Sequence, residues 1–205
     1  MATSDHRQTR RDYKCGFLLF SMKTTEIPTK SLLVLGAARS GKSRYAQKLA
    51  ESSGLEPVLI ATAEPLDEEM AARIARHKAR RSARWTVIEE PAALTETLFC
   101  ETRKNRIVVA DCVTLWLSNL FARGDNVCAA TQHLAKSIAS LGGPVVFVSN
   151  EVGAGIVPEN PLARAFRDAQ GLLNQQLAQA CEAAVLVAAG IALRLKPAPE
   201  PEFRF

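Results

Sequence analysis

Gly36-Ala37-Ala38-Arg39-Ser40-Gly41-Lys42-Ser43 fits Gly-x-x-x-x-Gly-Lys-Ser/Thr at every fixed position. The octet lies between an apolar run, Leu32-Leu33-Val34-Leu35, and a helix-like stretch, Arg44 to Ala50. Strand, loop and helix in that order make a cradle for a nucleotide's phosphates. Main-chain N–H groups and the positive helix end surround the anion, the Lys42 ammonium reaches the outer phosphates, and the Ser43 hydroxyl can hold Mg²⁺. Two further residues could complete such chemistry. Asp111 closes the hydrophobic run Arg106 to Ala110, the pattern that brings a carboxylate to Mg²⁺ directly or through water, although an Asp just past a strand also serves as a helix cap. His77 is crowded in sequence by Arg73, Arg76, Lys78, Arg80, Arg81 and Arg84. That positive charge favours the neutral imidazole, which can attack phosphorus while the guanidinium groups stabilise the transition state. A packed helix histidine beneath a solvated cationic face would produce the same pattern.

The elements that must position these groups alternate along the chain. Pro57 to Ala63 reads as a buried parallel strand ending in polar Thr62-Ala63-Glu64-Pro65, where open α/β sheets collect ligands. Leu66 to Arg81 is acidic early and basic late, as a helix dipole prefers, with Leu66, Met70, Ile74 and His77 on one stripe. A strand at Trp85 to Glu90, a helix from Pro91, the strand ending at Asp111, helices over 114–123 and 127–141, and a strand at Val145 to Ser149 follow. The loop Asn150 to Asn160, a long helix from about Leu162 to Glu182, a strand at Ala184 to Ala189 and an antiparallel edge strand, Ile191 to Lys196, complete the pattern. The expectation is one α/β domain with a mostly parallel sheet of about seven strands and helices on both faces. Residues 1–30 read as a flexible arm and 197–205 as a Pro-rich tail, leaving 31–196 as the folded unit. Met22 also predicts a possible translation start.

Composition narrows the function classes. At 205 residues, 47% hydrophobic and 23% charged, the chain suits one well-packed domain. The net charge of +5 could attract nucleic acid, yet much of the excess lies in the arm and in Arg73 to Arg84, and aromatics amount to only 6%. No base-stacking surface is expected, so the charge is assigned to anionic phosphates. Five scattered cysteines without ligand spacing point to free thiols in a reducing cytoplasm, and no apolar run is long enough for membrane insertion.

The pieces GAARSGKSRYAQ, IATAEPLDEEMAARIARHKARRSARW, DCVTLWLSNL and SNEVGAGIVPENPLARAFRDAQGLLNQQLA extend the reading. From Ser31 to Lys196 the chain resembles the bifunctional adenosylcobinamide kinase / adenosylcobinamide-phosphate guanylyltransferases of cobalamin biosynthesis. The histidine helix and the NEVGAGIVPEN loop carry most of the specificity. The resemblance implies a RecA-like P-loop NTPase fold, a homotrimer and two reactions: phosphorylation of adenosylcobinamide by ATP or GTP, then transfer of GMP from GTP through a guanylyl-histidine at His77. It also implies that Gly36, Ala37, Ala38, Arg39, Ser40, Gly41, Lys42 and Ser43 hold phosphates. Thr62, Ala63, Glu64, Lys78, Ala79, Arg80 and Arg81 border the nucleotide, and Glu89 and Asp111 add contacts. Lys42 would act with His77 in catalysis, Ser43 and Asp111 would meet Mg²⁺, and the loop around Glu151, Gly153 and Pro158 would line the corrinoid side. A P-loop kinase restricted to phosphorylating a small molecule, with His77 structural, and a non-catalytic nucleotide switch are the competing readings.

Overall fold

The computed structural model describes residues 28–198 apart from Leu66, Glu69, Arg73, Ile74 and residues 76–81. Its strands are β1 (Ser31–Gly36), β2 (Glu56–Ala61), β3 (Thr86–Glu89), β4 (Arg106–Asp111), β5 (Val145–Asn150), β6 (Ala183–Ala188) and β7 (Ile191–Lys196). The helices described in full are α1 (Lys42–Ser52), α2 (Leu94–Glu101), α3 (Val113–Arg123), α4 (Val127–Ser137) and α5 (Pro161–Ala180).

All seven strands join one sheet in the order β3-β2-β4-β5-β1-β6-β7. Every pairing is parallel except β6 with β7, which is antiparallel and forms an edge, as the sequence predicts. One strand, β5, separates the strand that leads into the phosphate loop from the strand that ends in Asp111. All carboxyl ends of β1 to β6 therefore lie along one edge, the edge that collects ligands in such sheets.

Alternation along the strands divides the core in two. Leu33, Ile60, Val108, Ala110 and Phe147 point to the face covered by α2, α3, α4 and α5, around Leu98, Trp116, Leu134 and Leu173. Leu32, Val34, Leu59, Val109, Val146 and Val148 point to the other face, against Ala46 and Ala50 of α1 and the indole of Trp85. Near-continuous apolar strands such as Ile107 to Ala110 are what burial on both faces demands.

Several boundaries differ from the sequence expectation for local reasons. Strand β2 stops at Ala61 because the Thr62 hydroxyl turns to the backbone beyond β4. The helix predicted from Pro91 begins at Leu94, since the Glu90 carboxylate accepts hydrogen bonds from Ala92 N and Ala93 N and holds that stretch as a turn. The helix predicted over 127–141 ends at Ser137 and tightens into a 3₁₀ turn, Ile138–Ser140. Helix α5 starts one residue earlier than expected, with the Asn160 side chain accepting from Leu162 N and Ala163 N and Pro161 in its first turn. Residues 1–27 and 199–205, which include most of the predicted arm and tail, lie outside the described residues.

Candidate active site

The cradle follows directly from β1. Gly41 precedes α1 with φ of 99°, a left-handed conformation that glycine adopts without a Cβ clash. Gly36 is required for a different reason: a Cβ there would stand 2.6 Å from the Val187 carbonyl oxygen and closer still to Ser40 Oγ. The loop is also braced from the β6–β7 turn, where Gly190 N donates to Ser40 O at 2.8 Å. Arg39 holds the loop's other left-handed position, with φ of 58°, and is exposed together with Ala37 and Ala38. Ser40 Oγ is buried and has no hydrogen-bond partner.

Lys42 is only 7% exposed, and its Nζ donates to Ala37 O at 3.1 Å, folding the ammonium back across the loop that a phosphate would enter. Ser43 Oγ donates to Asp111 Oδ1 at 3.2 Å. This contact unites two residues 68 positions apart in sequence. It also shows that Asp111, Val148 and α1 share one face of the sheet, because Asp111 is the register partner of Val148.

The remaining expected residues are distributed along the same edge. Thr62 is fully buried; its hydroxyl donates to Cys112 O at 2.7 Å and accepts from Cys112 N at 3.0 Å. Asn119 Nδ2 reaches Thr62 O at 2.8 Å. The Thr62 hydroxyl thus clasps β2 to the chain beyond β4, while partly exposed Ala63 and Glu64 face the edge. Glu89, exposed at the end of β3, pairs with Ala61 in register. Four strand spacings separate it from Gly36, roughly 19 Å, so Glu89 and the cradle mark opposite ends of the site. His77, Lys78, Ala79, Arg80 and Arg81 lie outside the described residues.

Sequence reasoning did not single out Thr114 or Asn174, which fix the end of β5 beside the cradle. Thr114 Oγ1 accepts from Asn150 N at 2.8 Å, and Asn174 Nδ2 donates to Asn150 O at 3.0 Å. Among the described residues no group of three or more His, Cys, Asp or Glu could hold a metal, so a cation at the Ser43–Asp111 pair would complete its coordination with oxygens from nucleotide or water.

Residues 32–195 match the profile of the family described as cobinamide kinase / cobinamide phosphate guanyltransferase. The chain belongs to this family. Among its relatives, the bifunctional adenosylcobalamin biosynthesis protein CobP of Pseudomonas aeruginosa is 44% identical over 169 residues, covering 82% of this chain and 98% of the relative. The bifunctional adenosylcobalamin biosynthesis protein CobU of Escherichia coli is 39% identical, covering 80% of this chain and 99% of its own length. CobU of Salmonella typhimurium is 38% identical with the same coverage. Membership in the cobinamide kinase / cobinamide phosphate guanyltransferase family makes the chain a bifunctional transferase of cobalamin biosynthesis and implies nucleotide substrates. Among the described residues no helix is long and apolar enough to cross a membrane.

Proposed function

We propose that one nucleotide edge serves two successive transfers. In the first, ATP or GTP lies with its triphosphate in the Gly36 to Ser43 loop, and the hydroxyl of the aminopropanol arm of adenosylcobinamide attacks the γ-phosphorus. The bond to the β–γ bridging oxygen breaks, the nucleoside diphosphate leaves, and the hydroxyl proton passes to solvent. Lys42 exchanges its hold on Ala37 O for the outer phosphates and offsets their growing charge. In the second, an imidazole nitrogen of His77 attacks the α-phosphorus of GTP and expels pyrophosphate. A phosphate oxygen of adenosylcobinamide phosphate then takes the GMP from histidine, giving adenosylcobinamide-GDP. Two displacements avoid a direct encounter between two polyanions.

The observation that carries the reading is the 3.2 Å hydrogen bond from Ser43 Oγ to Asp111 Oδ1, which joins cradle and acidic strand into one site. Ser43 and Asp111 are hard oxygen donors, suited to Mg²⁺, which would supply charge neutralisation on the β- and γ-phosphate oxygens. Ala63, Glu64 and Glu89, with Lys78, Ala79, Arg80 and Arg81, border the nucleotide in this reading. The loop around Glu151, Gly153 and Pro158 lines the corrinoid side. The active species is a cytoplasmic homotrimer.

Incubation with α-labelled GTP and Mg²⁺ tests the second transfer: acid-labile label is expected on the wild-type protein and none on His77→Ala. A wild type that phosphorylates cobinamide yet never acquires label would reduce the chain to a kinase with a structural His77.

A further inference from the structure

The last residue of β5, Asn150, is held by its backbone from three directions. Its N–H donates to Thr114 Oγ1 at 2.8 Å, its carbonyl accepts from Asn174 Nδ2 at 3.0 Å, and the next amide, Glu151 N, donates to Gly36 O at 3.1 Å. Asn174 in turn belongs to a buried polar cluster. Ser149 Oγ donates to Asn174 Oδ1 at 2.5 Å, and Gln170 Nε2 donates to Ser149 Oγ at 3.0 Å and to Asn174 Oδ1 at 2.9 Å. Ser149 and Gln170 are fully buried. Polar networks in a core are costly where a member goes unpaired, as Gln170 Oε1 does here, and the hydrogen bonds that are made rigidify what they hold. Here the held object is the tip of the strand between the two halves of the site.

The Asn150 side chain points the other way from this network. Alternation sends Ser149 to the α5 face and Val146, Val148 and Asn150 to the α1 face, where Asp111 meets Ser43. Register fixes its neighbours: Asn150 pairs with Gly36 on one side, and Val148, one pleat back, pairs with Asp111 on the other. Asn150 is half-buried and its carboxamide makes no hydrogen bond with any described residue, although the Asn150 N–H, the Asn150 carbonyl and the Glu151 N–H are all engaged. A neutral donor has been placed between the loop that holds a triphosphate and the acid that attends its metal.

We propose that Asn150 orients the phosphoryl group in transfer, its Nδ2 donating to a non-bridging oxygen of the γ-phosphate. The inference rests on the cradle binding a triphosphate as described under the proposed function. A carboxamide suits this task because it has no proton to lose and no negative charge to repel phosphate. Its hydrogen bond strengthens as charge accumulates on the γ-oxygens during transfer.

Full-length Asn150→Ala and Asn150→Asp proteins are assayed with ATP, Mg²⁺ and cobinamide beside wild type. The expected result is a fall in kcat of about 100-fold, with the KM for ATP within about threefold and the thermal midpoint unchanged; Asp is at least as damaging as Ala because it adds repulsion. A purely structural Asn150 would instead lower the midpoint and leave kcat per folded molecule within about threefold, which overturns the proposal. Should both variants fail to fold, ¹⁵N-labelled wild type decides. The Asn150 carboxamide resonance, assigned through its backbone, is expected to shift with Mg²⁺ and AMP-PNP and not with Mg²⁺ and ADP. Equal responses to the two nucleotides overturn the role. A wild type that leaves cobinamide unphosphorylated while the resonance still distinguishes them refutes the acceptor and not Asn150.

Discussion

At the scale of single residues, the site is built from groups whose useful chemistry is held in reserve by neighbours. Lys42 is buried and folded onto Ala37 O, so a triphosphate entering the loop exchanges one partner of the ammonium for another without first gathering a mobile side chain from water. Asp111 is placed by β4 and touched by Ser43. Replacing it with Asn keeps the shape and removes the charge; phosphorylation of cobinamide should slow by about 100-fold and require more Mg²⁺ for half-maximal rate, measured in a magnesium titration of initial rates. The thiols contribute differently. Burial pushes Cys112 from 9.0 up to about 11 and Cys181 up to about 12. Each folded-state thiol keeps a proton that the unfolded chain releases, so this contribution to stability is complete below about pH 9 and declines as pH rises from there towards the folded-state values. The slope is at most about 1.4 kcal/mol per pH unit for each thiol. Urea unfolding at about pH 8 and about pH 10.5 should show a smaller loss of stability for Cys112→Ala than for wild type.

At the scale of elements, the phosphate loop depends on its neighbours as much as on its own glycines. Gly36→Ala drives a methyl into the Val187 carbonyl and Ser40, an overlap worth about 1–3 kcal/mol. Relief requires the loop to move, so nucleotide affinity should fall about tenfold or more by isothermal titration. Gly54 is the control: nothing lies within 4 Å of an added Cβ, but its φ of +76° strains any other residue. Gly54→Ala should cost about 1 kcal/mol of stability and leave nucleotide affinity unchanged. Such contrasts also show what the chain discloses before folding. Apolar runs between turn residues revealed β4 and β5 almost to the residue, and the antiparallel edge at Ile191 to Lys196 was legible from the glycine before it. The cradle and its acid were legible because each combines a residue type with a strand context. Thr62 clasping Cys112 and Glu90 holding the turn before α2 were not, since each depends on a partner chosen by the three-dimensional arrangement. Asn150 was read as the start of a loop; its place on the α1 face became visible only once register was known.

At the scale of the whole molecule, one sheet edge runs from the cradle at β1 to Glu89 at β3 and carries the described residues that the proposed transfers use. The proposed trimer is open to direct measurement: sedimentation equilibrium should give about three times the 22.3 kDa chain mass and a protein concentration dependence consistent with one association step. Helix α1 spans this architecture from back to front. Its first turn follows directly on the phosphate loop, and near its other end Glu51 accepts a hydrogen bond from Trp85 Nε1 at 2.9 Å, Trp85 being the residue before β3. The only other tryptophan, Trp116, is buried on the opposite face and donates to Ala92 O. The protein therefore carries its own optical gauge. Emission from Trp85 should change when GTP and Mg²⁺ are added, whereas a Trp85→Phe protein, glowing through Trp116 alone, should stay dark to the same addition.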